Sequence, residues 1–242
     1  MTLETKNLCA WYGAAQILFD VSFSVGRGEV VALMGRNGAG KSTTLKAIMG
    51  LVERRSGSVR FEGHDLLPLK TFQIARLGLG WVPEDRRIFT ELTVLENLEV
   101  ARRAPQDLAR AARGENGAAW TVERLFQLFP NLAGMRERPG GRMSGGEQQM
   151  LTVARTLMGN PRTVLLDEPS EGVAPLVVER MADAILELKK EGLSVLLSEQ
   201  NLHFARLVCD RVYVLEKGHV DWAGSLRELE ASPDVQRRLL GV

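Results

Sequence analysis

Cysteine is scarce in this sequence, which contains only Cys9 and Cys209 among its 242 residues. Two widely separated thiols cannot form the disulfide framework of a small secreted protein, and they lack the spacing of metal ligands. We therefore expect both to be small apolar side chains in a reducing compartment. The three histidines, His64, His203 and His219, are also too scattered to hold a metal ion together.

Net charge is nearly absent as well, because 31 lysines and arginines face 30 aspartates and glutamates, which leaves +1. The chain therefore has no general attraction for nucleic acid or an anionic membrane, and nucleic acid is not an expected partner. No window approaches the about eighteen apolar residues of a transmembrane helix, and the first six residues lack a signal-peptide layout. We expect a soluble, cytosolic protein, so that in any membrane process other chains would span the bilayer.

The strongest local signal is a glycine-rich loop between a strand predicted over 29–34 and a helix predicted over 43–49. The loop reads Gly35, Arg36, Asn37, Gly38, Ala39, Gly40, Lys41 and Ser42, and Thr43 follows it. Glycine permits conformations in which successive backbone N–H groups turn inward around a polyphosphate. An accidental glycine-rich turn is the alternative, but the strand and the helix on either side favour nucleotide binding.

The side chains at the end of this loop suit the outer phosphates of a nucleotide. Lys41 supplies a positive charge, the Ser42 hydroxyl can ligate Mg²⁺, and the following helix adds the partial positive charge of its N-terminus. The sequence therefore predicts a site for a nucleotide with Mg²⁺, and a metal centre of any other kind is not expected.

Two adjacent acids, Asp167 and Glu168, end an apolar strand that begins at Thr163. Ligands of open α/β sheets collect beyond the carboxyl ends of the strands, so Asp167 can meet the Mg²⁺ that Ser42 also holds. Glu168 can then orient and deprotonate a water molecule for attack on the γ-phosphoryl group. Paired acids that merely end a strand are the alternative, which the phosphate loop makes less favourable.

Strands and helices alternate along the chain, which predicts an α/β fold in one domain over 1–242. Two early strands, 2–8 and 17–25, precede the phosphate-loop strand, with Trp11, Tyr12 and Gly13 in a loop between them. A helical subdomain is predicted as an insert over 84–143, with a mobile loop at 105–117. The C-terminal tail over 223–242 is predicted to be helical.

A second glycine-rich helix start lies at Ser144, Gly145 and Gly146, with Glu147 next. A hydroxyl N-cap followed by two glycines exposes N–H groups at a positive helix end, which suits an anion. Because the phosphate loop already provides one such site, two interpretations remain open. The protein holds two anions, or this helix end faces the nucleotide of another subunit.

Along the chain the order is the phosphate loop, then residues 143–147, then the strand 163–168 with its two acids. These three motifs in that order resemble the nucleotide-binding subunit of ABC transporters, and the match covers almost the whole chain. The resemblance implies a P-loop NTPase core with a mixed, mainly parallel sheet, N-terminal antiparallel strands and an inserted helical subdomain. It also implies a head-to-tail dimer in which Ser144 and Gly146 contact the γ-phosphate of ATP bound by the other subunit. Tyr12 is similar in placement to the aromatic residue that stacks on the base, and the insert would carry a groove for the membrane subunits.

Some positions depart from the general pattern of that family. Glu84 stands where most members have glutamine, Gln200 where most have a histidine that senses the γ-phosphate, and the loop 170–175 lacks the usual aspartate. Glu84 can ligate Mg²⁺ or hold water. Gln200 can hydrogen-bond a phosphate oxygen, but it cannot change charge near neutral pH as histidine can. A weakened ATPase is one interpretation, and membership of a subfamily is the favoured one.

The chain resembles the second ATPase of the high-affinity branched-chain amino-acid importers, whose relatives import urea or short amides. Four stretches taken together carry this resemblance: Val82-Pro83-Glu84, Arg86-Arg87, residues 144–149 and Glu199-Gln200-Asn201. The resemblance implies permease subunits as partners, a second ATPase that is a different chain or a second copy, and an indirect link to a solute-binding protein. The expected location is the cytoplasmic face of the membrane. A small-molecule kinase and an ABC-type ATPase acting on DNA or ribosomes are the other hypotheses. The kinase has no use for residues 144–146, and the non-transport ATPase usually has paired cassettes or a basic stripe.

Overall fold

The computed structural model describes residues 1–102 and 119–237. Its strands are β1 (Leu3–Tyr12), β2 (Ala15–Val25), β3 (Val30–Met34), β4 (Arg54–Phe61), β5 (His64–Asp65), β6 (Leu79–Val82), β7 (Thr163–Asp167), β8 (Ser194–Glu199), β9 (Arg211–Glu216) and β10 (His219–Ser225). Its helices are α1 (Lys41–Ile48), α2 (Thr71–Arg76), α3 (Val94–Val100), α4 (Val122–Leu128), α5 (Pro130–Ala133), α6 (Gly145–Met158), α7 (Pro175–Lys190), α8 (Leu202–Val208), α9 (Leu226–Glu230) and α10 (Pro233–Val235). A 3-10 turn covers Gly140–Arg142.

The strands form two sheets of different kinds. The larger has the order β10-β9-β3-β8-β7-β6, and all its pairings are parallel except that of β9 with β10. The smaller has the order β2-β1-β4-β5 and is antiparallel throughout. This arrangement confirms the predicted fold class, a mixed and mainly parallel sheet with antiparallel N-terminal strands.

The larger sheet is buried on both faces, as continuous apolar strands require. Along β3, Val30, Ala32 and Met34 face a core shared with α6, α7 and α8. The alternate residues Val31 and Leu33 face a second core, which contains residues of α1 and of the antiparallel sheet. The carboxyl ends of β3, β7 and β8 therefore meet at one edge of the sheet, where the chemistry of the predicted site was expected.

Helices occupy the described part of the predicted insert. Leu98 of α3, Leu125 of α4 and Phe129 are buried in the same core as residues of α6. The predicted mobile loop at 105–117 lies outside the described residues. The boundaries of the single domain, of the insert at 84–143 and of the tail at 223–242 stay predictions. No helix in the described ranges combines the length and the apolar character needed to cross a bilayer.

Two details of the strand prediction were wrong. Trp11 and Tyr12 are the last residues of β1 rather than part of a loop, because they pair with Gln16 and Ala15 across a tight turn at Gly13. Strand β10 occupies the first part of the predicted helical tail, since it pairs with β9 along its whole length. In both cases the pairing with a neighbouring strand outweighs local preference.

Candidate functional site

The phosphate loop connects β3 to α1 at the carboxyl edge of the parallel sheet. Gly35, Gly38 and Gly40 have φ angles of 148°, 81° and 107°, a region that favours glycine. A Cβ on Gly35 would lie 2.4 Å from the carbonyl oxygen of Leu215, so this position admits no side chain. Gly40 is the N-cap of α1 and has no side chain to cap the first turn. The first N–H groups of α1 therefore stay available to an anion.

Lys41 is the most buried cation of the loop, with 3% of its side chain exposed. Its Nζ donates to the carbonyl oxygens of Gly35 at 2.9 Å and Arg36 at 3.4 Å. The same atom lies 3.1 Å from Oε1 of Glu168. A buried ammonium group with these acceptors is fixed at the mouth of the loop, where it can meet phosphate oxygens.

The Ser42 hydroxyl donates to Oδ1 of Asp167 at 2.8 Å and so joins the phosphate loop to the end of β7. Burial raises the pKa of Asp167, while hydrogen bonds from Ser42 and Ser198 oppose that rise. A hydroxyl and a carboxylate side by side suit Mg²⁺, which takes few protein ligands and completes its octahedron with phosphate oxygens and water. In the described ranges no three His, Cys, Asp or Glu side chains group around a common metal position. The residues present thus fit a Mg²⁺ ion that arrives with a nucleotide.

Glu168 follows β7 with a left-handed backbone, φ 48°. This unusual conformation is strained for a residue with a side chain, and such strain occurs most often at functional positions. Burial raises the pKa of Glu168, but hydrogen bonds from Glu171 and Lys41 and the charge of Lys41 outweigh burial and hold the pKa below its usual value. Glu168 is therefore ionised at neutral pH and able to accept a proton.

Glu171 is a second carboxyl group beside Glu168, and it is not among the site residues predicted from the sequence. A hydrogen bond with Glu168 is the main cause that raises the pKa of Glu171 to about 7, with burial and the charges of Glu168, Glu84 and Glu199 adding to it. The only sequence signal was the loop 170–175, which departs from the family pattern.

A cleft of about 440 Å³ connects these groups. Its lining includes Tyr12, Ile17, Asn37, Gly38, Gly40, Lys41, Ser42, Thr43, Glu84, Glu168 and Glu171. The structure therefore brings Tyr12 and Glu84 to the same cleft as the phosphate loop. Tyr12 is 48% exposed at the cleft, so part of its aromatic side chain is accessible to a ligand there.

The glycine-rich helix start lies outside the lining of that cleft. Ser144 caps α6 by accepting from the N–H of Glu147, and the Glu147 carboxylate accepts from the N–H of Ser144 at 2.7 Å. A Cβ on Gly146 would lie 2.7 Å from Val177, and one on Gly145 would lie 2.9 Å from Arg86. Both glycines thus permit close packing, while Ser144 stays exposed at the helix end.

Gln200 is exposed immediately after β8 and is not part of the cleft lining. Its backbone N–H donates to Oε2 of the buried Glu199 at 3.0 Å. Asn201, the N-cap of α8, follows and accepts from Phe204 at 3.1 Å. Glu199 is not among the predicted site residues, yet its carboxylate holds the backbone of the loop that carries Gln200.

A family model described as ABC transporter matches residues 18–171 of this chain. The chain is 40% identical over 239 residues to the high-affinity branched-chain amino acid transport ATP-binding protein BraG of Pseudomonas aeruginosa, with 99% of each chain covered. It is 35% identical over 240 residues to the lipopolysaccharide export system ATP-binding protein LptB of Escherichia coli, covering 99% of this chain and 97% of LptB. A solved structure of an ATP-binding subunit of an ABC transporter has a TM-score of 0.80 and 30% identity, covering 100% of this chain and 97% of that one.

Proposed function

This chain belongs to the ABC transporter family, and on that premise we propose that its ATPase activity drives the import of branched-chain amino acids. It is the ATP-hydrolysing subunit of a transporter, which confirms the family resemblance that its motifs predicted. Membrane permease subunits and a second ATPase subunit are the partners that this membership implies.

The assignment of the reaction rests on one observation, which is that four side chains meet where the phosphate loop lies against the end of β7. They are those of Lys41, Ser42, Asp167 and Glu168. In our proposal, the loop N–H groups and Lys41 bind the phosphates of ATP. Ser42 and Asp167 hold Mg²⁺, with Glu84 as a further ligand or as a group that holds water. When bound, Mg²⁺ neutralises charge on the outer phosphates.

Glu168 is the proposed general base, because its carboxylate is ionised and lies next to the cation that faces the terminal phosphate. Gln200 donates an amide hydrogen to a phosphate oxygen. Tyr12 stacks on the base from the exposed end of β1. The remaining loop residues, Arg36, Asn37, Ala39 and Thr43, contribute backbone and hydroxyl groups around the phosphates.

The helix end at Ser144 supports a composite site between two subunits. It is an exposed N-terminus, favourable for an anion, yet it does not line the cleft of its own chain. We infer a head-to-tail pairing in which Ser144, Gly145, Gly146 and Glu147 complete the nucleotide site of the partner ATPase. The partner is a different chain in this proposal, and a second copy of this chain is the alternative.

A groove of about 420 Å³ between the parallel sheet and the insert is the proposed seat of a permease segment. Residues of four elements line it, among them Ala75 of α2, Trp81 of β6, Val100 of α3 and Arg155 of α6. Phe89 and Val100 are 48% and 59% exposed and both line this groove, so they offer apolar surface to a docked segment. Docking at this groove would hold the chain at the cytoplasmic face of the membrane.

The reaction is tested by Glu168→Gln, measured as phosphate release without any added acceptor. We expect hydrolysis to fall by about a hundredfold or more while ATP stays bound, since only the proton acceptor is lost. Glu187→Gln, on the exposed face of α7, is the control and should hydrolyse ATP normally. Unchanged turnover in Glu168→Gln would contradict the assigned base, and phosphate transfer only to an added acceptor would instead indicate a kinase.

The solute is tested by uptake in vesicles that contain this chain with its permease subunits and the solute-binding protein. The proposal rests on 40% identity to BraG over 99% of the chain, and ATP-dependent leucine uptake is the expected result. Uptake of urea or a short amide instead would indicate a related importer. Outward transport of lipopolysaccharide would contradict import and agree with the similarity to LptB.

A further inference from the structure

Glu199 is an acid buried at the carboxyl end of β8, with 1% of the residue exposed. Both of its carboxylate oxygens accept hydrogen bonds from the backbone. Oε1 accepts from the N–H of Ser170 at 3.1 Å, and Oε2 accepts from the N–H groups of Gln200 and Asn201 at 3.0 and 2.9 Å. A single side chain therefore binds two loops that are separated by 29 residues in sequence.

Each of these loops carries a residue of the proposed ATPase site. Ser170 follows Glu168 by two residues, and Gln200 directly follows Glu199. The backbone N–H of Glu168 also donates to the carbonyl oxygen of Ser198 at 3.0 Å, so β7 and β8 are already joined at this level. The carboxylate extends that connection past the ends of the strands, where the sheet no longer fixes the backbone.

The charge of Glu199 has an energetic cost that its hydrogen bonds offset only in part, because the pKa of Glu199 stays above its ordinary value. Burial raises the pKa of Glu199, whereas the hydrogen bonds from Ser170, Asn201 and Gln200 oppose that rise. Buried acids are rare unless they are compensated in this way, and an apolar side chain would avoid the cost. A neutral glutamine has one acceptor oxygen instead of two, so it cannot satisfy both loops.

We propose that Glu199 is a positioning residue, which fixes the loop of Glu168 and the loop of Gln200 in one geometry relative to the terminal phosphate. The inference rests on the proposed ATPase function. Glu199 is buried and does not line the cleft, so in this proposal it acts through the backbone that it holds. Errors of about 1 Å in such a geometry can lower a rate by up to about a hundredfold.

The test compares Glu199→Gln with Glu199→Asp, which keeps the charge but is too short to span both loops. Both variants should lower kcat for ATP hydrolysis by about tenfold or more, while KM for ATP changes by less than about twofold. The matched control is Glu29→Gln at the opposite end of the sheet. Glu29 also accepts from a backbone N–H, that of Gly26 at 2.6 Å, and it pairs with Arg211.

Melting temperatures distinguish positioning from simple destabilisation. The control should lose stability with kcat unchanged, whereas the Glu199 variants should lose kcat at temperatures well below their melting points. A Glu199→Asp protein with wild-type kcat would overturn the proposal, and this holds even where Glu199→Gln does not fold. A loss of kcat that follows melting temperature equally in all three variants would also overturn it.

A double variant then identifies the residue through which Glu199 acts. If Gln200 depends on Glu199, Glu199→Gln combined with Gln200→Ala should have a kcat close to the lower of the two single variants. If the losses of kcat in the two single variants multiply in the double variant, Glu199 does not act through Gln200. The part of the proposal that concerns the loop of Gln200 would then be overturned. Absence of phosphate release from the wild-type chain would be a failure of the proposed function itself, and it is recognised before any variant is measured.

Discussion

Glu168 and Glu171 are two carboxyl groups joined by a hydrogen bond, in which Glu171 is the proton donor and Glu168 is the acceptor. The hydrogen bond between them raises the pKa of Glu171 to about 7, and the same bond helps to hold the pKa of Glu168 low. The Nζ of Lys41 lies 3.1 Å from Oε1 of Glu168, and it lowers the pKa of Glu168 but does not act on that of Glu171. The proposed base is therefore charged at neutral pH because two different neighbours, one cationic and one a proton donor, stabilise its ionised form.

This pair predicts how stability depends on pH in the absence of nucleotide. The pKa of Glu171 is higher when folded, about 7, than its ordinary 4.5, so the folded chain binds more protons between these values. The contribution of Glu171 to the free energy of unfolding is complete below the lower value and is lost as pH rises through the higher one. The Glu171→Gln variant has no carboxyl group to titrate at this position. The difference between its melting temperature and that of wild type should therefore increase as the pH rises from about 5 to about 8.

Glu228→Gln is the control for that measurement. A backbone hydrogen bond at Ser225 lowers the pKa of Glu228, so its stabilising contribution is lost only as pH falls below the ordinary value of 4.5. The melting temperature of this variant relative to wild type should therefore stay constant from about pH 5 to about pH 8. If the difference in melting temperature between Glu171→Gln and wild type also stayed constant over this range, the pKa of Glu171 would not be raised as described.

At the scale of the elements, α3 depends on its N-cap. The Thr93 hydroxyl accepts from the N–H of Glu96, and the Glu96 carboxylate accepts from the N–H of Thr93 at 2.8 Å. With seven residues, α3 is too short to be stable without such caps and its packing on the core. Thr93→Ala should therefore lower the free energy of unfolding by about 1 kcal/mol, measured by urea denaturation.

Thr90→Ala is the matched control, because Thr90 lies just before the same helix and its hydroxyl contacts only the neighbouring Glu91 side chain in the described structure. Its effect should stay within about 0.5 kcal/mol. Equal losses in the two variants would mean that the cap adds nothing to the stability of α3.

The elements nearest the phosphate loop could be predicted from the sequence because their signals are local. A continuous apolar run, a glycine loop and a helix follow one another within 29–49, and the acids of β7 directly end their strand. Strand β10 could not be predicted in this way, since its residues become a strand by pairing with β9. The end of β1 was missed for the same reason, as Tyr12 pairs with Ala15 across the turn.

The site was predictable to the extent that its residues belong to sequence motifs. Ser42 and Asp167 are 125 residues apart and hydrogen-bond because their motifs follow two parallel strands, β3 and β7, that end at the same edge of the sheet with β8 between them. Glu171 and Glu199 were not predicted as site residues, because the hydrogen bond of Glu171 with Glu168 and the burial of Glu199 exist only in the folded chain. Glu199 did have two signals, since it belongs to a stretch that resembles the importer ATPases and is an acid at the end of an apolar strand, just as Asp167 is.

At the scale of the whole molecule, one short segment, 84–89, connects the three surfaces to which we assign functions in our proposal. Glu84 lines the nucleotide cleft, while Arg87 and Phe89 line the groove beside the insert. Helix α6 is fastened to the same segment, because Thr152 donates to the carbonyl oxygen of Arg86 at 3.0 Å and Arg155 donates to that of Arg87 at 2.7 Å. A partner seated in the groove is therefore mechanically connected to the cleft and to the Ser144 end of α6.

This connection makes the groove testable apart from the ATPase chemistry. Val100 is 59% exposed in the groove, and an aspartate there would require a charge to be buried under a docked permease segment. Val100→Asp should abolish co-purification with the permease subunits and leucine uptake, while ATP hydrolysis by the isolated chain stays at the wild-type rate. Leu207→Asp, at an exposed apolar position on α8 outside the groove, should leave both unchanged.

The two variants together separate the possible roles of the groove. Both place an aspartate at an exposed apolar position on a seven-residue helix, so their effects on solubility and charge are matched. If Leu207→Asp lost permease binding while Val100→Asp kept it, the docking surface would lie at α8 and not at the groove. Normal binding in Val100→Asp would contradict docking at the groove. A loss of hydrolysis in isolated Val100→Asp would show that segment 84–89 transmits changes to the cleft even without a partner.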